Sequence, residues 1–257
     1  MIALTSTKSN GKKYKKTCLK KSKCTKCQQK CLKKCLKKCK KKSLKDYTKV
    51  TIEVPQPKGV KNLPATMYFY IHKSFTDKQQ GRITTAISAL LDQWYDHFNE
   101  KWDGGTNAGT SQLALCTNPY ATKKLKPVWS KSSVSNGIAA TNLAMNQFTQ
   151  LIRDNGFKKS PPATIDPRSS TTVYAPTAPT KRRVPLSLQI NPKQLDNPAL
   201  TSLKLTGSVL HSWLHRAGWT DPKITSYFIS ECPMCVMRGL KPKNSRVRDS
   251  DFYKFFD

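Results

Sequence analysis

The distribution of charge divides this chain of 257 residues into two unequal parts. Residues 1–50 contain 19 lysines, no arginine and one acidic side chain, Asp46, so they carry +18 of the formal net charge of +31. The remaining residues contain 27 basic and 14 acidic side chains together with all five tryptophans. Because dense like charge opposes compaction, the first part is a poor candidate for a hydrophobic core. We therefore predict a basic arm over residues 1–46 and a folded domain over residues 47–257.

The basic arm contains six of the nine cysteines. Five of them are spaced by three or four residues, so in a helix they would share one face with leucines, opposite a face of lysines: Cys24, Cys27, Cys31, Cys35 and Cys39. Three interpretations are open: a solvated disordered tail, a basic helix on an anionic membrane with cysteines available for acylation, or thiolate metal binding. Charge alone also attracts nucleic acid, so residues 8–45 predict an anionic partner of either kind. No apolar stretch reaches 18 residues, which excludes a transmembrane helix.

The rest of the chain alternates between strand and helix patterns. A long helix is predicted to begin at Thr76, where Gln79 completes a capping box, and a second helix covers 201–217. Strands are predicted at 47–54, 65–72, 111–117 and 184–191, with a helix at 136–156, a loop at 158–183 enclosing a short strand TTVYA, and a short terminal helix in DSDFYKFFD. This order predicts an α/β (α+β) domain, in which one mixed twisted sheet packs against the long first helix and the helix over 201–217.

Two of the four histidines, His211 and His215, stand four residues apart on the predicted helix 201–217. Their imidazoles therefore project from one face, within reach of a single ion. Gly218 allows the chain to reverse after the helix, so that Asp221 can return toward the pair. Tetrahedral zinc needs three protein ligands when water or substrate takes the fourth place. The pattern thus predicts a Zn²⁺ site, and the alternative is two ordinary histidines on a core helix.

The stretch HSWLHRAGWTD resembles the metzincin zinc-peptidase motif H-E-x-x-H-x-x-G-x-x-D. The resemblance implies a metzincin-like fold with zinc ligands His211, His215 and Asp221, and a peptide or protein ligand bound in a cleft. It further implies that Met234 or Met237 belongs to a methionine-containing turn beneath the metal.

The chain departs from that motif at Ser212, where the family has the glutamate that acts as general base. General-base catalysis contributes typically about 10²–10⁴-fold, and a serine hydroxyl is far too weak a base at neutral pH. The resemblance therefore implies a zinc-binding, metallopeptidase-like protein with impaired or absent hydrolase activity. If active, it would be a zinc-dependent metalloendopeptidase in which another group, with Glu231 the first candidate, replaces the glutamate. On sequence grounds, Ser212→Glu would restore cleavage.

A second functional hypothesis belongs to a different class: a non-enzymatic protein that associates with anionic membrane or nucleic acid through its arm. The three cysteines outside the arm are Cys116, Cys232 and Cys235. One C-x-x-C supplies only half of a zinc site, so we expect either a disulfide between Cys116 and one of the other two, or free thiols.

Overall fold

The computed structural model describes residues 44–220 and 225–257. The predicted basic arm, apart from its last residues, and the predicted ligand Asp221 lie outside the described residues. Residues Asp46–Asp257 form one compact unit.

The described chain contains one five-stranded sheet with the strand order β1-β2-β3-β5-β4. Strands β2, β3 and β5 run parallel, whereas β1 and β4 pair antiparallel at the two edges. The strand bounds are Tyr47–Glu53 (β1), Thr66–His72 (β2), Ala163–Pro167 (β3), Val173–Tyr174 (β4) and Leu188–Ile190 (β5). The predicted α+β class with a mixed sheet is therefore confirmed.

Seven α-helices accompany the sheet in the described chain. Their bounds are Asp77–Lys101 (α1), Gln112–Thr117 (α2), Gly137–Gly156 (α3), Pro192–Leu195 (α4), Ser202–Arg216 (α5), Phe228–Met237 (α6) and Ser250–Tyr253 (α7). Helix α1 begins where it was predicted, because the Thr76 side chain accepts from the Gln79 amide and the Gln79 side chain accepts from the Thr76 amide. Among the described residues, no helix has the length and apolar character required to cross a membrane.

Within the unit Asp46–Asp257, helix α5 packs against both α1 and α6. Every residue from Leu205 to His215 is buried, so the helix is enclosed on all sides instead of presenting one face to water. Its Trp213 ring stacks on Phe69 of β2, with centroids 6.2 Å apart. The two histidines of α5 are therefore held in the core of the domain.

Two sequence-based predictions of local structure are wrong. In the segment 111–117, Gln112–Thr117 forms helix α2 instead of a strand, and the Ser111 side chain caps the helix by accepting from the Ala114 amide. A short apolar run is compatible with either a strand or a helix, because its hydrophobic periodicity cannot be recognised over so few residues. The capping serine is the signal that favours the helix. Strand β3 falls in the segment predicted to be a loop, where Ala163 and Ile165 alternate inward as a strand requires. Within that segment, the expected short strand at TTVYA is confirmed as β4.

Candidate metal centre

Three potential metal ligands converge in the core: His211 and His215, one turn apart on α5, and Asp257, which follows α7. Each offers one ligand atom, and these atoms all lie within 4.8 Å of one another. The Oδ1 atom of Asp257 is 2.9 Å from Nε2 of His211 and 3.6 Å from Nε2 of His215. Two imidazole nitrogens and one carboxylate oxygen therefore face a common point.

The other ring nitrogen of each histidine contacts the main chain. Nδ1 of His211 lies 2.9 Å from the carbonyl oxygen of Ile229, and Nδ1 of His215 lies 3.0 Å from that of Trp219. The Thr177 hydroxyl also lies 3.0 Å from Nδ1 of His215. Because a carbonyl oxygen only accepts hydrogen bonds, each Nδ1 carries a hydrogen and donates it. This arrangement fixes the ring orientation and leaves Nε2 of each ring to face the Asp257 carboxylate.

A neutral Nε2 with its lone pair and a carboxylate oxygen repel each other at these distances unless a cation lies between them. That cation is either a proton on the imidazole or a metal ion. Burial raises the pKa of Asp257, but hydrogen bonds from His211 and His215 and their positive charge outweigh burial and lower it to about 2. The carboxylate is consequently ionised across the physiological pH range.

The segment that follows α6 packs against the histidine pair and ends with the third ligand, Asp257. The Phe256 ring stacks flat on the His211 ring, with centroids 4.2 Å apart and planes 5° from parallel. Phe252 and Phe255 are also buried, and the Ser208 hydroxyl of α5 donates to the Phe255 carbonyl. His211 is 0% and His215 4% exposed. The site is thus enclosed, with Asp257 as part of its cover.

Gly218 occupies the position that the sequence predicted for it, directly after α5. Its φ of +93° belongs to the left-handed region, which glycine adopts without a steric penalty. A Cβ atom at this position would also lie 2.4 Å from the Trp129 indole nitrogen. The indole N–H donates to the carbonyl of Ala217, so glycine is required both by the turn and by the ring packed against it.

Ser212 lies between the two histidines in sequence and is 0% exposed. Its hydroxyl makes no hydrogen bond within the described chain. Glu231, which the resemblance suggested as an alternative base, is equally buried, and its Oε1 atom accepts from Lys243 and from the Ser226 amide, each at 2.9 Å. These contacts commit that oxygen to an ion pair between α6 and the segment after it.

Met234 and Met237, which the resemblance implies for a methionine-containing turn, lie in helix α6. Helix α6 packs closely on α5, since a Cβ atom at Gly207 would lie 2.4 Å from the Met237 side chain. All ten residues of α6 are buried, even with Pro233 in its interior. Helices α5 and α6 are therefore in close contact at this point.

A disulfide joins Cys116 of α2 to Cys235 of α6, which confirms one of the two expected arrangements. Cys232 is a buried free thiol, and burial raises its pKa to about 12 although a hydrogen bond with Thr117 lowers it. The Arg238 guanidinium lies 3.3 Å from Sγ of Cys235. The disulfide links α6 covalently to α2. Helix α6 also provides the Ile229 carbonyl that orients His211.

Asp257 was not predicted from the sequence, because it belongs to no spacing motif with the histidine pair. Its only local signal is an acidic residue that closes an aromatic run, FYKFFD. Comparison of the chain with protein-family models, with curated proteins and with solved structures finds no match.

Proposed function

We propose that the domain binds one zinc ion through His211, His215 and Asp257, as a metallopeptidase-like protein whose peptide-hydrolase activity is impaired or absent. The observation that carries this proposal is the convergence of two oriented Nε2 atoms on one buried carboxylate oxygen. Ligand atoms bound tetrahedrally at about 2.0–2.1 Å from zinc lie about 3.3 Å apart. The separations of 2.9 and 3.6 Å lie on either side of that value.

The donor set restricts the choice of metal. Two imidazoles and one carboxylate bind zinc, but the same set with open positions also serves non-haem iron in oxygenases. Zinc is favoured because both rings are almost completely buried and Phe256 covers one of them. Burial of the ligands is typical of a structural zinc site, which has no open coordination position. When bound, zinc would supply stabilisation of the fold and Lewis acidity.

Two features support impaired hydrolysis. Ser212 stands at the motif position of the general-base glutamate, and its hydroxyl cannot accept a proton from water at neutral pH. Independently, a peptide substrate needs access to the metal, and the described surroundings of His211 and His215 are solvent-excluded. The metzincin-like assignment remains part of the proposal, carried by the H-x-x-x-H-x-x-G spacing and the left-handed Gly218.

Metal analysis of the full chain, purified from zinc-supplemented cells without chelators, tests the proposal. We expect the wild-type protein to contain about one more zinc per chain than the His211→Ala/His215→Ala variant. His72→Ala is the matched control, because His72 lies at the end of β2, where its Nδ1 contacts the Ser74 hydroxyl. A thiol-modifying reagent applied to all three proteins separates this zinc from any ion held by the arm cysteines.

Equal metal content in the wild-type protein and the double variant would overturn the proposal and leave a protonated histidine–carboxylate cluster. If the alanine variant fails to fold, Co²⁺ substitution of the wild-type protein answers the same question. Tetrahedral nitrogen and oxygen coordination gives visible Co²⁺ absorption bands, and their absence would also count against the site.

A further inference from the structure

The sheet presents one face to the helices and the other to solvent. On β2, Met67, Phe69 and Ile71 are fully buried, whereas the alternating Tyr68 and Tyr70 are partly exposed. Strands β3 and β5 alternate in the same way. Because side chains alternate between the two faces of a sheet, the exposed set belongs to a single outer face.

The strand register shows which residues share the outer face. Lys49 pairs with Tyr70, and Tyr70 pairs in turn with Thr164. Toward the opposite edge of the sheet, Gln189 of β5 pairs with Tyr174 of β4. The outer face therefore carries tyrosines on β2 and at the far edge, β4. With five strands spaced by about 4.8 Å, the two edges stand about 19 Å apart.

Cations lie over the rings of this face. The Lys49 ammonium is 4.0 Å and the Lys158 ammonium 5.3 Å from the centre of the Tyr68 ring. At the other end, the Arg168 guanidinium is 4.1 Å from the centre of the Tyr174 ring. A hydrogen bond with Thr66 has the largest effect on the pKa of the Tyr68 hydroxyl and lowers it, desolvation opposes this change, and the charges of Lys49 and Lys158 lower the pKa further. The two ammonium groups therefore place positive charge beside this ring.

The outer face also contains acidic residues, whose negative charge would repel an anionic ligand. Asp166 accepts hydrogen bonds from the Tyr47 and Thr164 hydroxyls. Glu53 lies at the end of the edge strand β1, where it pairs with Thr66. The carboxylate in the middle of the face is thus engaged by neighbouring hydroxyls, while Lys49 and Lys158 are exposed at its rim.

We propose that this outer face, defined by Tyr68, Tyr70 and Tyr174 with Lys49, Lys158 and Arg168, binds single-stranded nucleic acid. Partly exposed aromatic rings on an open sheet can stack two or three unpaired bases, while cations at the rim contact phosphates. The net charge of +31 brings polyanions to the protein at low salt. A duplex does not fit, since its bases are already stacked on one another.

An anionic membrane is the less favoured partner for this face. The exposed large hydrophobic side chains of the described chain are Leu115, Val128, Phe157, Leu203 and Val247, and none belongs to a strand of the sheet. A membrane-binding surface would need such side chains in one patch to enter the lipid.

The test compares two fluorescent probes binding to the full chain: an oligouridylate of about ten nucleotides and an abasic phosphodiester strand of equal length. Salt is raised until the sequence-independent attraction of the arm is largely suppressed. Base stacking on an aromatic side chain contributes about 1–3 kcal/mol per base. We therefore expect the wild-type protein to prefer the base-bearing strand by about fivefold or more.

Matched variants separate the rings from their hydroxyls. Tyr68→Phe/Tyr70→Phe keeps both rings and should retain the preference, whereas Tyr68→Leu/Tyr70→Leu should abolish it. Lys49→Gln/Lys158→Gln should weaken binding of both probes by a similar factor. Should the leucine variant fail to fold, photo-crosslinking of the wild-type protein to a thiouridine-containing strand should label the β2 peptide.

Equal affinity of the wild-type protein for the two probes would overturn the proposal. An unchanged preference in a folded leucine variant, or crosslinks confined to peptides outside the sheet, would do the same. Tyrosine-dependent binding to anionic vesicles without a preference for bases would assign the face to a membrane instead. None of these outcomes depends on the zinc content of the protein.

Discussion

The carboxylate of Asp257 lies 2.9 Å from Nε2 of His211, whose ring stacks on the ring of the preceding residue, Phe256. The two residues belong to different elements, since His211 is in the middle of α5 and Asp257 follows α7. The covering segment therefore contributes a potential ligand as well as apolar packing. Metal binding and docking of this segment should depend on each other.

Replacing the carboxylate should identify the third ligand. We expect Asp257→Asn to weaken zinc binding by at least about tenfold, because loss of even an outer-shell partner costs about 10–100-fold. The measurement is competition with a chromophoric chelator. Asp251→Asn is the matched control, since Asp251 lies in the same segment and forms only an exposed pair with Lys254.

The same measurement on Asp221→Asn tests the ligand that the motif predicts. If this variant loses zinc while Asp257→Asn retains it, the motif ligand is correct and Asp257 is only a neighbour of the site.

Ser212→Glu should destabilise the protein and should not activate it. The motif alone predicts a gain in cleavage, but residue 212 is completely buried on α5. Burying a carboxylate without a partner costs several kcal/mol, whereas the equally large Ser212→Gln should cost about 1–3 kcal/mol through overpacking. Thermal unfolding of the two variants measures the difference.

An assay on an unstructured protein substrate accompanies these measurements. Chelator-sensitive cleavage by the Glu variant, absent from the Gln variant, would show that the site opens to substrate. In that case the carboxylate would be acting as a general base.

Loss of the disulfide should lower the free energy of unfolding by about 2–5 kcal/mol, because the bridge closes a long loop in the unfolded chain. Its two cysteines are separated by 119 positions. Urea unfolding of Cys116→Ser/Cys235→Ser provides the value, with Cys232→Ala as the control for altering a buried thiol. Identical stability of the wild-type protein with and without reductant would mean that the cysteines are free thiols.

Acid should destabilise the domain through His97, which is 1% exposed on α1 and lies 2.6 Å from the Ser111 hydroxyl. Burial, with a smaller effect of Lys101, lowers the pKa of His97 from 6.5 to about 3. Between these two values the unfolded chain binds a proton that the folded chain does not, so stability falls as the pH drops below about 6.5. Above about pH 6.5, His97 is neutral in both the folded and the unfolded chain, and the destabilisation is absent.

The size of this effect between pH 7 and pH 5 should be about 2 kcal/mol, from about 1.4 kcal/mol per pH unit below the unfolded pKa. Urea unfolding at both pH values, compared with His97→Asn, isolates it from effects at the metal centre. If the wild-type protein and the variant lose the same stability on acidification, His97 is not responsible.

Local interactions made several elements predictable from the sequence. The capping box at Thr76, the apolar period of α1 and the left-handed Gly218 after α5 each depend on residues a few positions apart. The His211–His215 pair belongs to the same class, because a helix places residues four apart on one face. Hydrogen bonds and side-chain contacts within one or two turns therefore determined these features.

Tertiary contacts decided the remaining features. The predicted loop gained strand β3 because the sheet supplied partners on both sides. Asp257 reached the histidines only because three phenylalanines anchor its segment in the core. The sequence by itself determined the histidine pair and the serine, Ser212, that follows its first member. Only the tertiary structure showed that Asp257 meets the pair and that its described surroundings are buried, because both depend on contacts between residues far apart in the chain.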